Sequence, residues 1–181
     1  MVAYVIVPGI GGSDAQHWQS LWEQEWALSA ARIAPTSWTR PTVADWVQSL
    51  ERTVDQAAAR HGDVVLIAHS LGCWAAAAWL GETDQQVESA FLVAPPDRDG
   101  EMFPASAAPS FLNIPAQTLP CTSMVVASTN DPYGTVQHAE ELARTWGSTL
   151  NVVGPLGHIS TASRLGSWHQ GQRLLSALAN L

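Results

Sequence analysis

The sequence predicts an α/β fold, a parallel sheet with helices on both faces, from three observations. Short apolar segments alternate with helix-periodic amphipathic ones along the whole chain. The apolar segments are continuous, as strands buried on both faces are. One of them, Val64 to Ile67, runs through Ala68-His69-Ser70-Leu71-Gly72 into a nearly all-apolar helix from Cys73 to Leu80. A strand that turns straight into a helix around a serine flanked by small residues is a nucleophile elbow. Glycine usually stands two residues before that serine; here it is Ala68, one methyl larger.

The elements follow in order. Tyr4 to Val7 is a short strand ending at Pro8-Gly9. Ser13 with Gln16 predicts a capping box opening a helix whose apolar face holds Trp18, Leu21, Trp22 and Trp26. Arg32 to Ala34 is a weak second strand. Thr42 caps an amphipathic helix with Val43, Trp46, Val47, Leu50, Val54 and Ala58 at helical spacing. Val64 to Ala68 is strand three, Ala90 to Ala94 strand four, Ser123 to Ala127 strand five and Leu150 to Val153 strand six. A helix from Thr135 to Trp146 separates the last two strands, and a helix with Leu174, Leu175 and Leu178 closes the chain. Repeated βα units of this kind imply right-handed crossovers. One irregular stretch, 95–120, is long enough to be functional. Met102, Phe103, Phe111 and Leu112 give it something to bury, which predicts a cap over the site. Trp18, Trp22, Trp46, Trp74 and Trp79 fall on apolar faces and are expected in the core.

Bulk properties narrow the function. The chain has 181 residues, 46% of them apolar and 13% charged, which fits one compact domain. Its net charge is −8, and all eight basic residues are arginines. Scattered arginines on an acidic protein argue against nucleic acid or an anionic membrane as partner. The absence of lysine excludes Schiff-base chemistry, pyridoxal phosphate and a Ser-Lys dyad. Cys73 and Cys121 are expected at opposite ends of the sheet as free thiols, consistent with a reducing cytosol. The N-terminus enters a strand without a signal-peptide layout, and no apolar stretch reaches the length of a membrane span. A soluble cytoplasmic protein is the expectation. No cluster has zinc-site spacing, and neither a metal nor a cofactor is expected.

Serine is a poor nucleophile at neutral pH. It needs a histidine to take its proton and an acid to orient that histidine. In this architecture the partners follow the serine in the order acid, then histidine, on loops at the C-terminal ends of strands. Asp131 stands after strand five in Ser128-Thr129-Asn130-Asp131-Pro132, and His158 after strand six in Gly157-His158-Ile159. Singly, Ser70 passes for a small turn residue, Asp131 for a turn initiator before proline, and His158 for a surface histidine. Jointly, three strand ends offer the required residues in the required order. Asp97, just after strand four, is the rival acid. The oxyanion donors are expected to be the backbone N–H groups of Leu71, at a helix N-terminus, and of Ile10, with Gly11 next. Pro8-Gly9-Ile10-Gly11-Gly12 lacks the phosphate-loop pattern and lysine, so a nucleotide site is not supported. His69, His17, Met102 and Phe103 are candidate substrate contacts; His61, His138 and His169 read as ordinary helix-end or surface residues.

Pro-Gly-x-Gly-Gly at 8–12, His17-Trp18, the Ala-His-Ser-Leu-Gly elbow, Ser128-x-Asn130-Asp131-Pro132 and Gly157-His158-Ile159 together carry a resemblance. The whole chain resembles the small α/β-hydrolases of the YdeN and retinoblastoma-binding protein 9 type. The resemblance implies a six-stranded sheet in the order 2-1-3-4-5-6, without the first two strands of larger relatives. It implies Ser70, Asp131 and His158 as a triad, and a serine hydrolase with esterase-like or aminopeptidase-like activity on a small acyl substrate. Pocket-protein binding through Leu-x-Cys-x-Glu is not implied, because the nearest segment, Leu71 to Ala75, ends in alanine inside the elbow helix. Two functions from different classes follow. One is a serine hydrolase of a small ester, thioester or amide; the other is a binding protein that keeps the fold.

Overall fold

A computed structural model describes residues 2–178. The strands are β1 (Ala3–Val7), β2 (Ala30–Arg32), β3 (Val64–His69), β4 (Ser89–Val93), β5 (Thr122–Ala127) and β6 (Thr149–Val152). They form one sheet, every neighbouring pair parallel, in the order β2-β1-β3-β4-β5-β6. The helices are α1 (Trp18–Trp26), α2 (Val43–His61), α3 (Leu71–Leu80), α4 (Val136–Trp146) and α5 (His169–Leu178).

Strand alternation divides the apolar residues between two layers. On one face Val5, Leu66, Ala68, Leu92 and Val125 meet Trp46, Trp74, Trp79 and Trp146 from α2, α3 and α4. On the other Ile6, Val65, Ile67, Phe91 and Val126 meet Trp18 and Trp22 of α1, Trp168 and α5. The five tryptophans expected in the core are all buried there. α3 is buried along its whole length, because it crosses the centre of the sheet beneath α2 and the 95–120 segment.

The boundaries of α1 and β2 differ from expectation for reasons the structure shows. α1 begins at Trp18 rather than after Ser13, and the capping box does not form. The Asp14 carboxylate accepts the Gln16 N–H at 2.9 Å and holds a turn there, and His17 is the cap, accepting the Gln19 N–H. β2 lies two residues earlier than expected: Ile33 makes its last pairing with the Ile6 carbonyl, and the Ala34 N–H turns away to the Ser49 hydroxyl.

The 95–120 segment buries Phe103, Ala108, Phe111, Ile114 and Leu119 in the α2–α3 layer. The Arg98 guanidinium lies 3.7 Å over the Trp74 ring and donates to the carbonyls of Phe111, Leu112 and Ile114. One cation thereby replaces several intrasegment ladder bonds. Met102 and Leu112, expected to be buried with the two phenylalanines, stay exposed.

Candidate functional site

Ser70 sits at φ 55° and ψ −127°, a left-handed conformation that a serine adopts only under constraint. Its N–H is fixed to the Val93 carbonyl at 2.9 Å, tying the turn to the neighbouring strand end. Crowding explains the small neighbours. A methyl group on Gly72 would stand 2.3 Å from the Val7 carbonyl oxygen, and one on Gly9 would stand 2.8 Å from the Ser70 Cβ. Ser70 precedes α3 but makes no side-chain cap, so its hydroxyl is free for other use.

That hydroxyl lies 2.8 Å from His158 Nε2, and His158 Nδ1 lies 2.9 Å from both carboxylate oxygens of Asp131. The Asp131 side chain is only 4% exposed. Its Oδ1 also accepts the Tyr133 N–H at 2.9 Å. A carboxylate accepting from Nδ1 leaves the lone pair of a neutral imidazole on Nε2, facing the serine. Asp97, the rival acid, is elsewhere: it stands 3.5 Å from His138 and accepts the Asp99 N–H.

The loop carrying His158 is held from three directions. Ser128 Oγ accepts the Leu156 N–H at 2.9 Å and donates to Asn130 Oδ1, which accepts the Gly157 N–H at 2.7 Å. His69 Nε2 donates to the His158 carbonyl at 2.9 Å. The Trp18 indole donates at 2.8 Å to the carbonyl of Ile159, which itself has φ 48°. Sequence reasoning missed Ser128, Asn130 and Trp18 as positioning residues. For the first two, a short polar side chain on either side of Thr129, just ahead of Asp131, was a readable signal. Trp18 gave none, since its partner is 141 residues away.

Ser70 opens on a cavity of about 390 Å³, with Gly9, Ile10 and Leu71 on its floor and His17, His69, Met102 and Tyr133 among its walls. The Ile10 and Leu71 N–H groups have no backbone acceptor among the described residues. Gly11, the alternative donor, does not serve: its N–H is committed to the Trp38 carbonyl at 2.8 Å. Phe103 is not a substrate contact either. It is 7% exposed and packs in the core, while its neighbours Met102 and Pro104 reach the cavity. Among the described residues no three His, Cys, Asp or Glu side chains converge as metal ligands do, and no helix is long and apolar enough to cross a membrane.

Two wall histidines are held neutral. Burial pushes His17 down to about 4, outweighing the attraction of Asp14. His69 is driven well below its ordinary value by burial, then by His158 and His17. Both depressions have the same consequence for stability. Below the ordinary histidine value of 6.5 the unfolded chain binds protons that the fold refuses, down to about 4 for His17. Stability present above pH 6.5 is therefore lost as pH falls through that window. His17 alone accounts for about 2 kcal/mol between pH 7.5 and 5. Urea denaturation at the two pH values is expected to show a lower midpoint at pH 5, with the difference reduced in His17→Asn. Equal midpoints for the unsubstituted protein would contradict it.

Comparison with known proteins places the chain in a family and a fold. A family model described as serine hydrolase matches residues 4–177. A YdeN-like hydrolase from Pectobacterium atrosepticum is 29% identical, with a TM-score of 0.85 over 99% of this chain and 91% of that one. The ydeN gene product of B. subtilis is 18% identical, with a TM-score of 0.79 over 99% of each chain. Est1E from Butyrivibrio proteoclasticus, solved with ferulic acid bound, shares the fold at 11% identity and a TM-score of 0.72, over 99% of this chain and 87% of that one. No curated protein matches the chain.

Proposed function

The chain belongs to the serine hydrolase family, and on that premise we propose that it cleaves a small ester, thioester or amide through an acyl-enzyme on Ser70. One observation carries the reading: the continuous hydrogen-bonded line from the Ser70 hydroxyl through His158 to the Asp131 carboxylate. Ser70 Oγ attacks the acyl carbon while His158 Nε2 takes its proton. Asp131 stabilises the imidazolium and keeps the ring in register. The tetrahedral oxyanion accepts from the Leu71 and Ile10 N–H groups, with the positive end of α3 behind them. The imidazolium then protonates the leaving group, and water, deprotonated by the same histidine, releases the acid.

The walls speak to the acyl group. Pro96, Met102 and Pro104 at the base of the 95–120 segment reach the cavity, which supports that segment as a cap. Asp14 at the rim is held below the ordinary carboxylate range chiefly by the Gln16 N–H, and the wall histidines are neutral. Among the described residues no arginine lines the cavity, so an uncharged acyl group suits it better than a carboxylate-bearing or phosphate-rich one. The free thiols Cys73 and Cys121 support a reducing, cytoplasmic setting.

A fluorophosphonate probe tests the reading. Labelling of the unsubstituted protein, absent in Ser70→Ala, is expected, together with turnover of short p-nitrophenyl esters. A folded protein that neither labels nor turns over any ester would instead be a binding protein on this fold.

A further inference from the structure

The imidazole of His158 is held at its two nitrogens, to Ser70 and to Asp131, by bonds that fix its edge and leave its faces to other groups. Its side chain is 14% exposed, against 4% for Asp131. Two rings pack against it. The His69 centroid lies 5.0 Å away, and that of Tyr133 lies 4.4 Å away with the planes inclined at 44°. Tyr133 is also tied by its main chain. Its N–H donates to Asp131 Oδ1 at 2.9 Å, and its carbonyl accepts the Asp97 N–H at 2.8 Å. One residue therefore touches the acid through its backbone and the base through its ring. Open space adjoins that contact. Tyr133, His158 and Ser160 border both the Ser70 cavity and a second groove of about 510 Å³, whose wall also includes Pro132, Pro155 and Leu156.

Resting on the hydrolase reading above, we propose that the Tyr133 ring is a positioning residue for His158, keeping the imidazole in line between Ser70 and Asp131 while it gains and returns a proton. The need arises in the reaction itself. Once Ser70 Oγ has given its proton to Nε2 and bonded the acyl carbon, the imidazolium is a charged group that water attracts. A turn of the ring about its Cα–Cβ bond carries Nε2–H away from the leaving group it must protonate. A displacement of about 1 Å is enough to cost on the order of a hundredfold in rate. An aromatic ring with its centroid at 4.4 Å opposes that turn in two ways. It occupies the space, and its π system attracts the imidazolium more than the neutral imidazole. The backbone bonds of Tyr133 do not depend on its side chain, so removing the ring leaves Asp131 its partner.

Tyr133→Ala is expected to lower kcat roughly tenfold to a hundredfold on p-nitrophenyl acetate and butyrate alike, with KM moving by less than about threefold. Fluorophosphonate labelling is expected to slow by a similar factor, because it also needs the serine activated. Tyr133→Phe keeps the ring and is expected to recover most of both rates. Should the alanine protein fail to fold, Tyr133→Leu fills part of the space without a π system, and a loss of at least several-fold in kcat is expected there. A loss confined to KM, or one that differs between the two esters, would make Tyr133 a cavity wall only. Phenylalanine as impaired as alanine would assign the effect to the hydroxyl. Either result overturns the proposal. Proton NMR separates it from the hydrolase reading, since the His158 Nδ1–H gives a far-downfield line while its bond to Asp131 holds. That line is expected in the unsubstituted protein and in Tyr133→Phe, and broadened in Tyr133→Ala. If no ester is turned over and the probe does not label, the hydrolase reading fails. A line that still follows the ring would then show that Tyr133 holds the imidazole, and a line indifferent to it would remove both readings.

Discussion

Ser70→Ala is expected to lower kcat on any cleaved ester by on the order of 10⁴ to 10⁶-fold, with the fold intact. Ser70→Gly is expected to be equally inactive and yet more stable than Ser70→Ala. Both variants lose the hydroxyl and its bond to His158, so comparing them isolates the backbone. At φ 55° and ψ −127° a side chain costs roughly 1 to 3 kcal/mol that glycine escapes. Glycine's greater freedom in the unfolded chain returns about 0.5 to 1 kcal/mol of that. A net gain of about 1 kcal/mol corresponds to a melting temperature higher by about 2 to 4 °C for a chain of this size. Thermal denaturation of the two variants, beside their ester kinetics, measures both effects. Activity surviving in Ser70→Ala would remove the nucleophile assignment. A glycine variant that melts below the alanine one would remove the strain argument.

Strain of this kind explains why the elbow was legible in the sequence. The turn needs a buried strand before it, a helix after it and almost no side-chain volume beside it, and each requirement leaves a local mark. The order of Asp131 and His158 was legible for a similar reason, since parallel strands deliver successive loops to one edge of the sheet. α2 was readable to its cap because Thr42 and the 3.6-residue period agree. Other features depend on distant partners. The Ser13 capping box fails because Asp14 closes its own turn and because the Ser13 hydroxyl donates instead to the side-chain oxygen of the buried Gln19. Gly11 is lost as an oxyanion donor to a carbonyl on Trp38, which no periodicity announces. Phe103 turns into the core and Met102 turns out, although their hydropathies are alike. Chain order selects the acid only between candidates, and Asp97 and Asp131 both stand at strand ends; the contact of Asp97 with His138 is a tertiary fact.

Asp131→Asn should cost activity on the order of 10³ to 10⁴-fold, while Asp97→Asn should leave it within a few-fold. The size of the first effect follows from proton placement rather than lost charge alone. Tyr133 N–H donates to one oxygen of residue 131, and His158 Nδ1 lies 2.9 Å from both. In the amide, the oxygen keeps the Tyr133 bond and the NH₂ group faces Nδ1. A donor facing Nδ1 stabilises the tautomer with its proton on Nε2, which then donates to Ser70 and can no longer accept its proton. Asp97→Asn disturbs a 3.5 Å contact with His138 and a turn at Asp99, neither of which reaches the serine. Measuring kcat/KM for the two variants on one ester, with circular dichroism to confirm folding, distinguishes the two acids. A crippled Asp97→Asn beside an active Asp131→Asn would mean that the acid at work is in the loop after β4 rather than the loop after β5. Loss in both would mean that the Asp97–His138 contact holds the Tyr133 loop, since the Asp97 N–H already bonds the Tyr133 carbonyl at 2.8 Å.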